Sequence, residues 1–241
     1  MSSIELSPGL VIQGFTPPLK LSHFKLIAFD MDSTLINIEC VDEIADAAGR
    51  KAEVAAITEA AMQGIITDFK DSLRRRVALL EGVSVASMEE VYVQRLRINP
   101  GAKELIDTCK AAGMKVLLVS GGFTFFANRV QERLSIDFAR SNVLEVHDGF
   151  LTGRMVNQPW GDICDGLEKR RMMLATCVDL GIAPGQAIAM GDGANDLPMM
   201  KACADAGGLS VAYHAKPKVR EQAMVAINSG GLDRLLEVLV S

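Results

Sequence analysis

The chain has 241 residues, of which 49% are hydrophobic and 23% charged, with a formal net charge of -5 at pH 7. This length fits one large domain or a core with a smaller inserted module. The one dense basic cluster, Arg74-Arg75-Arg76, is too short for a nucleic-acid-binding face, and no apolar run is long enough to span a membrane. The first 14 residues also lack the Lys or Arg and the apolar block of a secretory signal, so we expect a soluble, cytoplasmic protein without nucleic-acid or membrane partners.

The cysteines argue against disulfides and against zinc. They are five in number, scattered, and without a Cys-x-x-Cys pair, and the three histidines lie far from them in the sequence. Reduced thiols are therefore expected, and a zinc site is disfavoured.

Residues 1–23 contain three prolines and no sustained period, which predicts an extended arm that packs on the body. The apolar run Phe24–Phe29 follows and predicts a strand buried on both faces, as in a parallel sheet. Asp30 and Asp32 stand at its carboxyl end, where open α/β sheets bind ligands. The alternative is a polar strand end that only begins a loop.

Four helices are predicted in succession, with no strand between them. They cover Val41–Ala48, Ala52–Met62, Asp68–Leu80 and Met88–Leu96. Ser87 and Glu90 are spaced as a capping box for the last helix. The succession interrupts a β-α alternation and indicates an inserted helical module.

One arginine of this module faces the apolar side of its helix. Arg76 falls on a stripe with Phe69, Leu73 and Leu80, whereas the two preceding arginines point away. A buried charge needs a partner, so Arg76 is a candidate to bind an anionic ligand or a carboxylate. The alternative is an arginine whose stem lies along the core while its charge reaches solvent.

After residue 99 the β-α alternation returns. The predicted elements are a helix over Pro100–Ala112, a strand over Val116–Val119, a helix over Thr124–Leu134, a hairpin over Val143–Val156, a helix over Gly166–Leu180, strands over Ala187–Met190 and Leu209–Ala212, and an amphipathic helix over Leu232–Val240. This order predicts an α/β fold with a mainly parallel sheet.

Three predicted strands end in polar sequences suited to phosphate. They are Asp30-Met31-Asp32-Ser33-Thr34, Ser120-Gly121-Gly122 and Gly191-Asp192-Gly193-Ala194-Asn195-Asp196. Small residues let backbone N–H groups approach an anion closely, and a following helix adds its dipole. Asp30, Asp192 and Asp196 would repel phosphate unless a hard cation bridges them, and oxygen ligands suit Mg²⁺. The sequence therefore predicts a Mg²⁺-dependent phosphoryl-transfer site.

Phe123 extends the second motif to Ser120-Gly121-Gly122-Phe123. Together the three motifs resemble those of the haloacid dehalogenase superfamily, and within it the bacterial enzymes that hydrolyse phosphoserine. The resemblance covers the chain from Phe24 onward. It implies a Rossmann-like three-layer α/β/α core of residues 24–37 and 98–241, with residues 1–23 as an arm on the core. Residues 38–97 would form a small helical cap over the active site.

The resemblance implies different roles for the paired aspartates. Asp30 would be the nucleophile that becomes an aspartyl-phosphate, and Asp32 the general acid and then base. Mg²⁺ would be held by the carboxylates of Asp30 and Asp192 and by the backbone carbonyl of Asp32. Covalent catalysis of this kind divides one difficult step into two.

The phosphate ligands implied by the resemblance are Ser120, Gly121, Lys169 and Asn195, with Asp196 ordering the surroundings of the metal. Glu39 would receive the ammonium group of the substrate and Arg76 its carboxylate. Met62 and Phe69 would line the site or pack within the cap.

The implied reaction is hydrolysis of O-phospho-L-serine, the last step of serine biosynthesis, and a homodimer is compatible with the resemblance. Three alternatives stay open at this point. They are a related phosphatase or phosphotransferase acting on another small phosphate ester, a nucleotide-binding module of Rossmann type, and a phosphoacceptor signalling domain. The chain lacks the glycine-rich signature of a nucleotide-binding module. A phosphoacceptor signalling domain would have no need of Asp32, Lys169 or a cap.

Overall fold

The computed structural model describes residues 3–62 and 65–240, and nine strands of these residues form one sheet. The strands in chain order are β1 Ile4–Ser7, β2 Leu10–Ile12, β3 Leu19–Lys20, β4 Leu26–Phe29, β5 Lys115–Phe123, β6 Phe138–His147, β7 Phe150–Val156, β8 Ala187–Gly191, β9 Leu209–Tyr213, β10 Val225–Ile227 and β11 Leu239–Val240. The sheet order is β1-β2-β10-β9-β8-β4-β5-β6-β7, and the strands from β10 to β6 run parallel. The predicted mainly parallel sheet is confirmed, with β4 in its interior between β8 and β5.

Nine α-helices of the described residues accompany this sheet, which is covered on both faces. They are α1 Cys40–Ala47, α2 Lys51–Met62, α3 Phe69–Ala78, α4 Val85–Gln94, α5 Ala102–Ala111, α6 Thr124–Leu134, α7 Gly166–Asp179, α8 Leu197–Asp205 and α9 Pro217–Gln222. Side chains alternate between the faces along β4, so Ile27 and Phe29 join the core beneath α5 and α6. Leu26 and Ala28 join the core beneath α7 and α8. The result is a three-layer α/β/α arrangement.

The four helices predicted between the first two core strands are α1 to α4, inserted between β4 and β5. The predicted cap of the last one is wrong. Ser84, not Ser87, is the N-cap, and its Oγ accepts from the Ser87 N–H at 3.0 Å. The backbone N–H of Val85 also donates to the Gly149 carbonyl at 2.9 Å, and this long-range bond fixes a helix start three residues before the expected Met88.

Both ends of the chain contribute strands that the sequence did not predict. The arm forms the antiparallel pair β1–β2, and β2 extends the sheet through β10. The predicted helix over Leu232–Val240 is wrong, because Leu232–Glu237 is a 3₁₀ helix and β11 then pairs with β3. Leu232, Leu235 and Val238 are fully buried, and their spacing of three matches the 3₁₀ period.

Within the described ranges, no helix combines the length and apolar character that crossing a bilayer requires. The five cysteines are all buried and free. Their scatter in the sequence already indicated thiols without disulfide partners.

Candidate active site

The carboxyl ends of β4, β5 and β8 meet at one edge of the sheet, and a cavity of about 860 Å³ opens there. Helices α1, α2 and α3 form its opposite wall. The cavity brings together most of the predicted site residues, namely Asp30, Asp32, Glu39, Phe69, Arg76, Ser120, Gly121, Asp192 and Asn195. Two further predicted site residues, Lys169 and Asp196, are fully buried beneath Asp30.

Lys169 joins two of the carboxylates below the cavity. Its Nζ lies 2.6 Å from Asp30 Oδ1 and 2.7 Å from Asp196 Oδ1. Burial alone would lower the pKa of Lys169, but the charges of Asp196 and Asp30 outweigh burial and raise this pKa well above its usual value. The lysine is therefore a fixed positive charge beside Asp30. The neighbouring Arg171 points elsewhere and pairs with Glu168 at 2.5 Å.

Asp30 is presented at the point where the chain leaves β4. Its own Oδ1 accepts from the Met31 N–H at 2.7 Å, and the chain then turns through Ser33, which has a φ of 57°. Burial, followed by the charge of Asp196, raises the pKa of Asp30, and Lys169 opposes that rise. Asp30 and Asp32 both line the cavity.

Asp32 is held by a residue that sequence reasoning missed. The backbone N–H of Cys40 donates to Asp32 Oδ2 at 3.1 Å, and its Sγ–H donates to Oδ1 at 3.1 Å. Burial, followed by the charge of Glu39, raises the pKa of Asp32 to about 7. A carboxyl group with a pKa near neutrality can both give and take a proton. A lone cysteine carried no sequence signal for this contact.

The acidic cluster has the donors that a hard cation needs. One carboxylate oxygen from each of Asp30, Asp192 and Asp196 lies within 4.8 Å of the others. The Asp196 oxygens are already engaged, Oδ1 by Lys169 and Oδ2 by the backbone N–H groups of Asp192 and Gly193 at 3.1 and 2.9 Å. Burial, followed by the charges of Asp196 and Glu39, raises the pKa of Asp192 to about 7. The residues therefore fit a divalent cation on Asp30 and Asp192, which would relieve this repulsion.

Glycines keep the end of β5 open to a ligand. A Cβ on Gly121 would lie 3.1 Å from the Phe69 ring, and one on Gly122 would lie 2.9 Å from the Met31 side chain. The Gly122 N–H donates to Ser120 Oγ at 2.8 Å. Asn195 completes this side of the cavity at the end of β8, in the short 3₁₀ helix Ala194–Asp196.

The helical wall carries a cation, Arg76, and a carboxylate, Glu39. Among the described residues, Arg76 has one of the few buried polar side-chain atoms without a hydrogen-bond partner, its Nε. Glu39 is exposed and accepts from Ser33 Oγ at 2.7 Å. Arg74 and Arg75 are exposed, as the helical spacing predicts. The side chain of Met62 lies outside the described part of the chain, so its expected place in the lining stays a prediction.

Asp42 and Lys216 are among the charged residues of the cavity wall that the sequence did not indicate as site residues. Asp42 has a buried Oδ1 without a partner in the described ranges, and its charge favours the charged form of Arg76. Asp42 lies three residues after Glu39, which places the two carboxylates on one helix face, and this spacing could have indicated Asp42 as a site residue. Lys216 lies after β9, and its backbone N–H donates to the Asp192 carbonyl at 3.1 Å. Nothing in the local sequence marked it.

Known proteins share this sequence and architecture. The family model for haloacid dehalogenase-like hydrolases matches residues 27–201. A phosphoserine phosphatase of Polaromonas sp. (strain JS666) is 75% identical over 99% of this chain and 100% of its own length. A phosphoserine phosphatase of Idiomarina loihiensis is 49% identical over 89% of this chain and 91% of its own.

Solved structures agree with this result. A phospho-aspartyl intermediate analogue of phosphoserine phosphatase superposes with a TM-score of 0.80 at 39% identity, covering 90% of this chain and 99% of that one. A substrate-bound phosphoserine phosphatase complex gives a TM-score of 0.79 at 38% identity, with 90% and 99% covered. The chain therefore belongs to the haloacid dehalogenase-like hydrolases, among the phosphoserine phosphatases of that family.

Proposed function

We propose that the protein hydrolyses O-phospho-L-serine to L-serine and phosphate through an aspartyl-phosphate on Asp30, with Mg²⁺ as its cation. One observation carries the proposal. The cavity has the Asp30 carboxylate on its floor, and on its wall the Glu39 carboxylate and the Arg76 guanidinium, whose Nε has no hydrogen-bond partner among the described residues. An amino acid phosphate supplies a carboxylate for Arg76 and an ammonium group for Glu39, whereas a sugar phosphate offers neither charged group.

The first step forms a covalent intermediate. Asp30 attacks phosphorus and forms an acyl-phosphate bond, while the bond to the serine oxygen breaks and Asp32 gives that oxygen its proton. Lys169, Ser120, the Gly121 backbone and Asn195 bind the phosphoryl oxygens. A Mg²⁺ ion held by the carboxylates of Asp30 and Asp192 and the backbone carbonyl of Asp32 would neutralise charge on the phosphoryl group.

The second step releases phosphate. Asp32, now deprotonated, takes a proton from water, and the resulting hydroxide attacks phosphorus and breaks the acyl-phosphate bond. Asp30 returns as a carboxylate, and Asp196 keeps Lys169 in place throughout by its 2.7 Å contact. A pKa of Asp32 near 7 suits a group that must be protonated in one step and deprotonated in the next.

The domain organisation belongs to the same proposal. Residues 38–97, with α1 to α4, form a cap over the core of residues 24–37 and 98–241, and residues 1–23 are an arm of the core. Arg76 and Glu39 come from the cap side, and the phosphate ligands come from the core. The substrate would thus be recognised at both ends across one cavity.

A cytoplasmic location and a homodimer complete the proposal. Cell fractionation checks the location, and light scattering checks the oligomeric state.

A phosphate-release screen tests the function. The purified protein with Mg²⁺ is given L- and D-phosphoserine, phosphothreonine, sugar phosphates, nucleotides and an aryl phosphate. We expect phosphoserine to give the highest kcat/KM. A preference for another ester, or transfer of the phosphoryl group to an added alcohol, would favour the alternative of a related phosphatase or phosphotransferase.

Arg76→Ala is expected to lower kcat/KM for phosphoserine by about 100-fold, because a charge-assisted pair with the substrate carboxylate is lost. The aryl phosphate has no carboxylate, so its kcat/KM should change by about threefold or less. Arg75→Ala is the matched control, since Arg75 lies on the same helix, is exposed and pairs with Asp71 at 2.9 Å. Equal losses on both substrates would remove Arg76 from substrate recognition.

Stabilisation by Mg²⁺ is expected to grow with pH. The pKa of Asp192 is raised to about 7, so the folded protein keeps a proton that the unfolded chain loses near pH 4. The free energy of unfolding of the metal-free protein therefore falls as pH rises through this range. A cation that binds the deprotonated carboxylate should raise the melting temperature more at about pH 8 than at about pH 5.

Thermal unfolding with and without MgCl₂ measures this effect. Asp192→Asn should remove the rise at both pH values. Asp205→Asn, which changes an exposed carboxylate paired with Lys201, should leave it intact. The same rise at both pH values would contradict the assignment of Asp192.

A further inference from the structure

The ladder between β5 and β6 is interrupted at the phosphate-binding end of β5. Val119 pairs with Arg140 and Phe123 pairs with Asn142, so the three residues Ser120–Gly122 stand opposite the single residue Ser141. Two extra residues of β5 are thus pushed out of the ladder where a phosphate would bind. Their peptide groups cannot all use ladder hydrogen bonds and need other partners.

Asn142 supplies one of these partners from beneath. Its side chain is fully buried, and its Nδ2–H donates to the Gly121 carbonyl at 2.8 Å. Its Oδ1 accepts from the Cys164 backbone N–H at 2.8 Å. The amide therefore ties the displaced segment of β5 to the loop before α7.

The contact reaches the phosphate ligand Ser120 through one peptide group. The Gly121 carbonyl and the Gly122 N–H belong to the same planar unit, so fixing one orients the other. The Gly122 N–H donates to Ser120 Oγ at 2.8 Å. Within residues 3–62 and 65–240 that hydroxyl donates to no protein acceptor, so its hydrogen is free to point into the cavity.

We propose that Asn142 is a positioning residue for phosphoryl transfer, acting through the Gly121–Gly122 peptide to orient the Ser120 hydroxyl. The inference rests on the proposed function, in which Ser120 binds the phosphoryl group. A buried side chain with both ends of its amide bonded holds one orientation, and the peptide follows it. No substitution of similar size reproduces the donor and the acceptor together.

Asn142→Asp tests the proposal, because it keeps the shape but turns an acceptor toward the Gly121 carbonyl. We expect kcat to fall about 10- to 100-fold for both phosphoserine and an aryl phosphate, since the loop contacts the group they share. KM for phosphoserine should change by about threefold or less, because Glu39 and Arg76 are untouched.

Ser210→Ala is the control. It removes another buried side-chain contact away from the cavity, in which Ser210 Oγ accepts from the Met224 N–H at 3.0 Å. Should Asn142→Asp not fold, Asn142→Ser replaces it with the same expectation.

A double-mutant cycle separates positioning from a merely structural role. In a Ser120→Ala background, Asn142→Asp should lower kcat by less than about threefold, because its effect passes through Ser120. Full additivity, or wild-type kcat in Asn142→Asp, would overturn the inference while leaving the proposed function intact. Failure of the proposed function is seen separately, as a wild-type protein that releases no phosphate from phosphoserine.

Discussion

Asp30→Asn is expected to abolish phosphoserine hydrolysis, lowering kcat by about four to six orders of magnitude. In the proposed mechanism the Asp30 carboxylate attacks phosphorus, and an amide cannot replace it, so the covalent route is closed. The fold should persist, because the amide keeps the shape of Asp30 and removes one of the negative charges crowded near Asp196. Phosphate release under Mg²⁺, with circular dichroism to check folding, measures both expectations. Activity within tenfold of wild type would rule out Asp30 as the nucleophile.

Asp32→Asn is the matched comparison, two residues away in the same turn. This variant keeps Asp30, the proposed nucleophile, but lacks the carboxyl group proposed to give a proton to serine and to take one from water. With an aryl phosphate, whose leaving group needs no acid, Asp32→Asn should release a burst of about one equivalent of phenol per site and then stall. Asp30→Asn should give no burst. A burst from both variants, or from neither, would contradict the division of roles.

The sequence predicted those features that local chemistry decides. A strand buried on both faces must be apolar throughout, so β4 was visible, and so were the polar residues at its end. The same reasoning applied to Ser120 and Asp192 predicted that they lie together, and both line the cavity, because parallel strands bring their carboxyl ends to one edge. The inward direction of Arg76 followed from helical spacing alone.

The features that the sequence missed depend on partners distant along the chain. β2 has only three residues and is a strand because β10 lies beside it. The start of α4 was misplaced because a carbonyl at Gly149, far along the chain, fixes it. Cys40 and Asn142 carry no local pattern, since each matters only through the group that it contacts. Hydrogen bonds of this kind are set by tertiary packing, and no residue period reports them.

Lys169→Met is expected to lower the free energy of unfolding by about 3–5 kcal/mol at neutral pH, because it leaves buried carboxylates without their cation. The side chain of Lys169 is fully buried between Asp30 and Asp196, and a methionine of similar length keeps the packing. Lys115→Met is the control, since its pair with Asp137 is half exposed and should contribute about 1 kcal/mol or less. Urea unfolding measures both variants.

The pH dependence of the stability loss in Lys169→Met gives a sharper test than the size of that loss. Lys169 holds down the pKa of Asp30, which burial and Asp196 otherwise raise, so its removal raises that pKa further. The folded variant then binds a proton that the unfolded chain releases near pH 4, and its stability falls as pH rises. The deficit in the free energy of unfolding relative to wild type should therefore be smaller at about pH 5 than at about pH 8. Adding Asp196→Asn to the variant should recover part of this deficit, because it removes one unpaired charge. A deficit independent of pH and unchanged by Asp196→Asn would mean that lost packing, and not unpaired charge, destabilises the variant.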